Sequence, residues 1–200
     1  MRTNTRTFPA GEITLESQAA RLDLVALFER DAPIEVDLGC GDGAFLTALA
    51  RGFPERNFLG VERMMGRVRS TARKIGDAAL PNARVLQADI LHAVQHLLPP
   101  ASIDVFYLMF PDPWPKRRHE SRRTFNAVFL RAVARALKRE GLLRVATDDA
   151  PYFSAMQRIT TDARDFAIDS ADSAMLPITT FEARFRATGL TIHRLSLRKT

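Results

Sequence analysis

The chain has a single cysteine, Cys40, among 200 residues. No disulfide can form within it, and a lone thiol fits a reducing compartment, so a cytoplasmic location is expected. A run of about 18 apolar residues is lacking, which excludes a membrane-spanning helix. The opening MRTNTRTFPAGEIT has no apolar core, and no secretory signal is expected. Histidine is scarce. His92 and His96 are spaced i, i+4, but no further histidine or cysteine lies near them, so no metal site is expected. Acids are outnumbered, 23 against 29 lysines and arginines, leaving a net charge of +6. That balance favours a polyanionic partner such as nucleic acid. The hydrophobic share of 46% is enough for a sizeable core. The length suits one domain, with residues 1–13 as a flexible N-terminal arm.

Hydrophobic patterning alternates between strand and helix. Residues 15–30 carry apolar side chains at helical spacing, and residues 34–38, IEVDL, read as a buried strand. The turn Gly39-Cys40-Gly41-Asp42-Gly43 follows, and residues 44–53 return to helical spacing before Pro54. Further strands are expected at residues 58–62, 84–88, 103–109, 142–147, 166–168 and 191–197. Helices are expected at residues 63–77, 90–98, 125–137 and 152–161, with Gly141 as the stop after the third of these. The fold class is therefore α/β: a Rossmann-like, doubly wound, mostly parallel seven-stranded sheet with helices on both faces. Ligands of such sheets sit at the carboxyl ends of the strands. Asp37 with Gly39, Glu62, Asp89, Asp112 and Asp148 all fall at or just past those ends, which defines one crevice.

Glycines 39, 41 and 43 let the backbone turn sharply and approach a ligand. Glu62, at the end of the second expected strand, is placed to accept both hydroxyls of a ribose. Asp89, after the third, is placed to accept from an adenine amino group. Together they describe an adenosine pocket. Gly39-x-Gly41-x-x-Ala44 also fits the dinucleotide fingerprint, which keeps an NAD-dependent oxidoreductase in view. Against it stands Asp37, whose carboxylate would repel a pyrophosphate but suits the ammonium of a methionine moiety. The run Asp37-Leu38-Gly39-Cys40-Gly41-Asp42-Gly43 resembles the D/E-x-G-x-G-x-G motif of S-adenosylmethionine-dependent methyltransferases.

Residues 110–123, FPDPWPKRRHESRR, combine three prolines, two acids (Asp112 and Glu120), the only tryptophan and a burst of cations. Proline fixes φ and removes backbone donors, so this is a stiff loop at a strand end. The sequence PDPWPKRRHESRR resembles the PDPW-x-K-x-RH-x-KRR signature of the bacterial tRNA (guanine-N7-)-methyltransferases. Gly60-Val61-Glu62, Ala146-Thr147-Asp148 with Tyr152, and Thr179-Thr180-Phe181-Glu182 resemble further segments of that family. Ser121 stands in place of a family lysine and Thr180 in place of a lysine or arginine, and both changes remove a cation from the expected RNA side.

The resemblance implies methyl transfer from S-adenosyl-L-methionine to N7 of a guanosine in the variable loop of tRNA. It implies a cofactor site of Asp37, Gly39, Gly41, Glu62, Asp89 and Asp112, and a substrate site that includes Asp148, Thr179, Thr180, Phe181 and Glu182. Guanine N7 has a free lone pair and no proton, so the reaction needs alignment and no strong base. Asp112 is the candidate catalytic residue, a carboxylate that could hold the Watson–Crick donors of the base and favour its developing positive charge. Lys116, Arg118, Arg122 and Arg123 would hold phosphates. Plainer roles stand beside these. Asp112 could form a turn, Trp114 could anchor the loop, and Asp42 and Asp149 could cap helices. Other methyl-transfer substrates, or a non-catalytic RNA-binding protein that keeps the fold, are the competing functions.

Overall fold

The computed structural model describes residues 5–7, 11–15, 21–172 and 175–200. Nine strands form one sheet in the order β1-β2-β5-β4-β3-β6-β7-β9-β8. They are β1 (Thr5–Thr7), β2 (Glu12–Leu15), β3 (Ile34–Leu38), β4 (Asn57–Glu62), β5 (Ala83–Gln87), β6 (Ile103–Met109), β7 (Leu137–Thr147), β8 (Phe166–Ile168) and β9 (His193–Lys199). The strands from β2 to β7 run parallel, and β1, β8 and β9 add antiparallel pairings at the two edges. The helices are α1 (Leu24–Phe28), α2 (Ala44–Gly52), α3 (Met65–Asp77), α4 (Ile90–His92), α5 (Ala127–Ala136), α6 (Ala150–Thr161) and α7 (Thr180–Ala187).

Two apolar layers pack on the two faces. On one, Val36, Leu59, Phe106 and Val145 meet α1, α5 and α6 through Leu27, Phe129 and Met156. On the other, Phe58, Val85 and Val105 meet α2 and α3 through Leu46, Leu49 and Val68. The alternation follows from strand geometry, in which successive side chains point to opposite faces. Parallel strands covered on both faces read as nearly continuous apolar runs, and all five residues of β3 and all six of β4 are buried.

The seven expected strands are present, and the sheet has two more. Part of the expected N-terminal arm is β1 and β2, with Ile13 buried and paired to Leu86 of β5. Residues 1–4 and 8–10 of that arm lie outside the described ones, as do residues 16–20. The helix expected over residues 15–30 shrinks to α1, capped by Asp23, whose carboxylate accepts from the Ala26 amide at 3.0 Å. The apolar spacing there is misleading because Leu15 belongs to β2, where it pairs with Thr5 of β1. Gly141 is not the stop of α5. That helix ends at Ala136 and passes straight into β7. The register against β6 slips between Ile103 and Val105, Glu140 adopts a left-handed φ of 63°, and a Cβ on Gly141 would lie 2.9 Å from the Lys138 carbonyl oxygen. The glycine thus serves a bulge inside a strand.

The strand order reverses beside β3: the chain moves outward through β4 and β5, then returns to the other side as β6. That is the switch point at which an open α/β sheet leaves a crevice. Close approach of α2 keeps the crevice tight. A Cβ on Gly60 of β4 would stand 2.7 Å from Cys40 Sγ and 2.8 Å from Leu46 Cδ2. Gly60→Ala should therefore lower stability by about 1–3 kcal/mol, the usual range for overpacking a filled core, as read from the urea unfolding midpoint.

Candidate functional site

The glycine turn after β3 owes its shape to backbone freedom. Gly39, Gly41 and Gly43 have φ of 80°, 57° and 77°, a region that side chains disfavour. The Gly39 and Cys40 amides both donate to the Val61 carbonyl, at 2.8 and 3.1 Å. Gly41 N–H donates to Glu62 Oε2 at 3.2 Å, and Met64 N–H donates to Glu62 Oε1 at 2.8 Å. The end of β4 is thereby locked to the turn after β3.

Asp37 is enclosed beneath this turn. Its Oδ2 is buried and accepts no hydrogen bond from the described residues. Burial, reinforced by the neighbouring Glu62 carboxylate, pushes its pKa up to about 7. Burial and the same two carboxylates push the Cys40 thiol well above its ordinary range, so Cys40 is a small turn residue and not a nucleophile. Asp37, Gly39, Gly41, Phe45, Phe110, Thr179, Thr180 and Phe181 line a cavity of about 60 Å³. This gathers residues expected at the cofactor and at the substrate. Asp89 lies further along the crevice, exposed, where its Oδ1 accepts from the His92 amide at 3.1 Å and caps α4. Its neighbour Ile90 approaches Gly39, with Cδ1 3.5 Å from where a Cβ on that glycine would be.

The loop after β6 is built as a stiff bracket. Phe110 N–H donates to the Ala146 carbonyl at 2.8 Å, and both Phe110 and Trp114 adopt positive φ, 54° and 43°. Trp114 sits between the Arg122 guanidinium, 5.1 Å from its ring centre, and the His119 ring at 5.7 Å. It is an anchor for the loop. Asp112 is exposed at the loop's start and close enough to Tyr152 to contribute to raising that phenol's pKa, a shift dominated by burial. The Tyr152 hydroxyl accepts from the Phe125 amide at 3.0 Å. Lys116 and Arg118 are exposed, and Arg118 Nε donates to His119 Nε2 at 3.3 Å.

Arg123 differs from the expected phosphate ligand. Its Nε donates to the Pro113 carbonyl at 2.8 Å and its guanidinium lies 5.0 Å from the Tyr152 ring centre, so it braces the loop from within. Glu182 differs too. It is buried, and its Oε1 receives Arg186 and Arg194, each at 2.5 Å. Thr179 is the N-cap of α7, its hydroxyl accepting from the Glu182 amide at 2.9 Å. Thr180 is exposed and Phe181 is 50% exposed, so these two face outward at the cavity mouth. Asp148 is half-buried just beyond β7. Asp149 caps α6 through the Tyr152 amide at 2.7 Å.

The sequence reading assigned no helix at residues 180–187 and no role to Phe110. The first was signalled by Thr179-x-x-Glu182, which has the form of a capping box. The second had no sequence signal. Phe110 joins Phe181 at 6.4 Å and Phe185 at 5.4 Å between ring centres, contacts made only by folding. Among the described residues no group of three or more histidine, cysteine, aspartate or glutamate side chains could hold a metal, and no helix is long and apolar enough to cross a membrane.

Residues 31–195 match the model of a protein family described as "Putative methyltransferase". The chain is 36% identical over 189 residues to a tRNA (guanine-N(7)-)-methyltransferase of Sodalis glossinidius (strain morsitans), covering 92% of this chain and 79% of that one. It is 36% identical over 193 residues to the protein of the same name from Cutibacterium acnes, covering 93% and 70%. The chain belongs to the tRNA (guanine-N(7)-)-methyltransferase family. Its fold is also that of the 16S rRNA methyltransferase KamB, with a TM-score of 0.68 at 16% identity over 98% of this chain and 99% of that one. Membership removes the NAD-dependent oxidoreductase from consideration.

The orphaned Asp37 oxygen yields a test. With a folded pKa near 7 against an ordinary 3.8, the fold keeps a proton that the unfolded chain has already lost. Its contribution to stability therefore falls as pH rises from about 4 to about 7 and is level above that. Asp37→Asn should remove this decline. The check is the difference in urea midpoint between wild type and variant across pH 5 to 8.

Proposed function

We propose that this protein transfers a methyl group from S-adenosyl-L-methionine to N7 of a guanosine in tRNA. Its one continuous sheet supports its acting as a single methyltransferase domain. The observation that carries the reading is the join between two halves of the site. An adenosine-type crevice at the switch point, with Asp37, Glu62 and Asp89, meets a stiff basic loop that begins at Asp112.

The residues present suit the cofactor. The unsatisfied Asp37 oxygen is where an ammonium would be accepted, and the glycine turn leaves room for close approach. Glu62 would accept ribose hydroxyls and Asp89 an adenine amino group. The cofactor supplies a methyl group activated by positive sulfur.

The chain's own task is then placement. Asp112, held by Pro111 and Pro113 and by the Arg123 brace, would accept from the Watson–Crick edge of guanine and stabilise the positive charge that the base gains. Lys116, Arg118 and Arg122 face solvent beside it and suit tRNA phosphates. Arg123 serves them indirectly by holding the loop. Thr179 and Glu182, both buried, would act by shaping α7, while Thr180, Phe181 and Asp148 are free to meet the substrate. The absence of a cation at position 180 shifts the RNA contact toward the loop after β6.

Labelled S-adenosyl-L-methionine with unmodified tRNA is the direct test. Reduction and aniline cleavage should locate the label at N7-methylguanosine, and label found elsewhere without cleavage would overturn the base atom. Asp112→Asn should reduce single-turnover methylation by about 100-fold or more, since removal of one such electrostatic contact has that size. In filter binding, tRNA affinity should fall steeply with added salt, the slope giving the number of phosphates neutralised. A flat response would remove the basic loop from the RNA surface.

A further inference from the structure

The chain leaves the sheet after β8 at Ile168 and returns at His193, and this excursion carries Thr179–Phe181 to the crevice. Apolar contact holds it through Phe181 and Phe185 on Phe110 and through Leu176, yet much of its apolar surface stays open. Met175 is 93% exposed, Ile178 53% and Phe181 50%, and a cavity of about 720 Å³ lies between the excursion and the sheet, lined in part by Met109, Ala146 and Leu176. Charge fastens it to the sheet as well. Asp169 pairs with Arg198, Asp172 with Arg144 and Glu182 with Arg194, so three carboxylates of the excursion meet three arginines of β7 and β9.

The Asp172 pair differs from the other two. Both of its side chains are largely enclosed, Arg144 13% and Asp172 8% exposed, whereas Arg198 and Arg194 are 39% and 51% exposed. It is a two-pronged contact, Nε to Oδ2 at 2.7 Å and Nη2 to Oδ1 at 2.8 Å, and the Ser196 hydroxyl donates to the same carboxylate at 2.6 Å. Such a fork fixes direction as well as distance. Arg144 is itself fixed. Its Nη1 donates to the Tyr107 hydroxyl at 3.1 Å, which donates to Glu35 Oε2 at 2.6 Å, and Glu35 Oε1 accepts from Arg56 at 2.5 Å. Asp37, Tyr107, Arg144 and Ser196 are successive register partners across β3, β6, β7 and β9. A polar row therefore crosses the sheet from beneath the crevice to the excursion.

We propose that Arg144 and Asp172 are positioning residues for the tRNA substrate. Arg144 lies on β7, which ends just before Asp148, and Asp172 lies on the excursion that leads to Thr179 and α7. Their pair sets Asp148 and the start of α7, which carries the substrate-facing Thr180 and Phe181, in register with each other and with the crevice. Neither residue touches the reacting atoms. The inference rests on the tRNA reading above and deepens it.

The test uses Asp172→Asn, which keeps shape and most hydrogen bonds but removes the charge, with Arg144→Lys as a second variant that keeps charge and loses the fork. For Asp172→Asn, kcat/KM for tRNA should fall about 10-fold to 100-fold, mostly through KM. Affinity for S-adenosylhomocysteine should stay within about twofold, since that site contains neither residue. Trypsin should cut at Arg184 and Arg186 faster than in wild type, a readout independent of activity. Arg144→Lys should fall between wild type and Asp172→Asn. An Asp172→Asn protein with wild-type tRNA KM and wild-type cleavage overturns the positioning role. So does one whose tRNA and cofactor affinities fall together, which marks general loss of fold. Wild-type protein that methylates no tRNA overturns the functional reading itself, whatever the cleavage rates.

Discussion

A carboxylate enclosed by protein must be protonated, paired or hydrogen-bonded, because its charge is costly away from water. Asp37 is enclosed and has an oxygen that none of the described residues satisfies. Much of the surrounding structure is organised about that constraint. The turn passes over it with glycine at 39, 41 and 43, Glu62 is drawn in by the Gly41 and Met64 amides, and Gly60 lets α2 close against the strands. An ammonium accepted there, as proposed, would relieve the cost of that unpartnered oxygen. Such local disfavour is common where a protein is built to receive charge.

The other buried charges behave in the opposite way. The buried Glu35 and Glu182 and the half-buried Arg144 and Asp172 are all partnered, and their partners come from other parts of the fold, Arg56 just before β4 among them. Buried pairs of this kind add little net stability because desolvation offsets attraction. Their geometry is nevertheless specific, and that specificity suits a task in which a base must be aligned rather than activated. The stiff loop after β6 solves the same problem by other means: prolines, a clamped tryptophan and an arginine turned inward to a carbonyl.

Much of the architecture was legible in the chain. β3, β4 and β6 are apolar runs with few alternatives, and the acids just beyond them stand out against that background. The glycine turn and the proline loop announce themselves because those residues restrict or free the backbone in known ways. The N-terminal strands were not legible. β2 is short and sits between the short β1 and β5, the latter some seventy residues away, so local periodicity carries little trace of it. Gly141 misled because a glycine after a helical run ends many helices, yet here it serves a strand bulge.

Sequence by itself determined the fold class, the crevice at the strand ends, the family and the identity of the charged residues, since these follow from periodicity, backbone restriction and motif. It did not determine which charges face the solvent. Arg122 and Arg123 are neighbours in one motif, yet the first lies outside on Trp114 and the second braces Pro113. Glu182 and Thr180 share another motif, yet one is buried under two arginines and the other is exposed. Tertiary structure decided these, for a physical reason. The partner of a charge is whatever the fold brings within about 3 Å, and hydrogen bonds are too short in range for a linear pattern to foretell them.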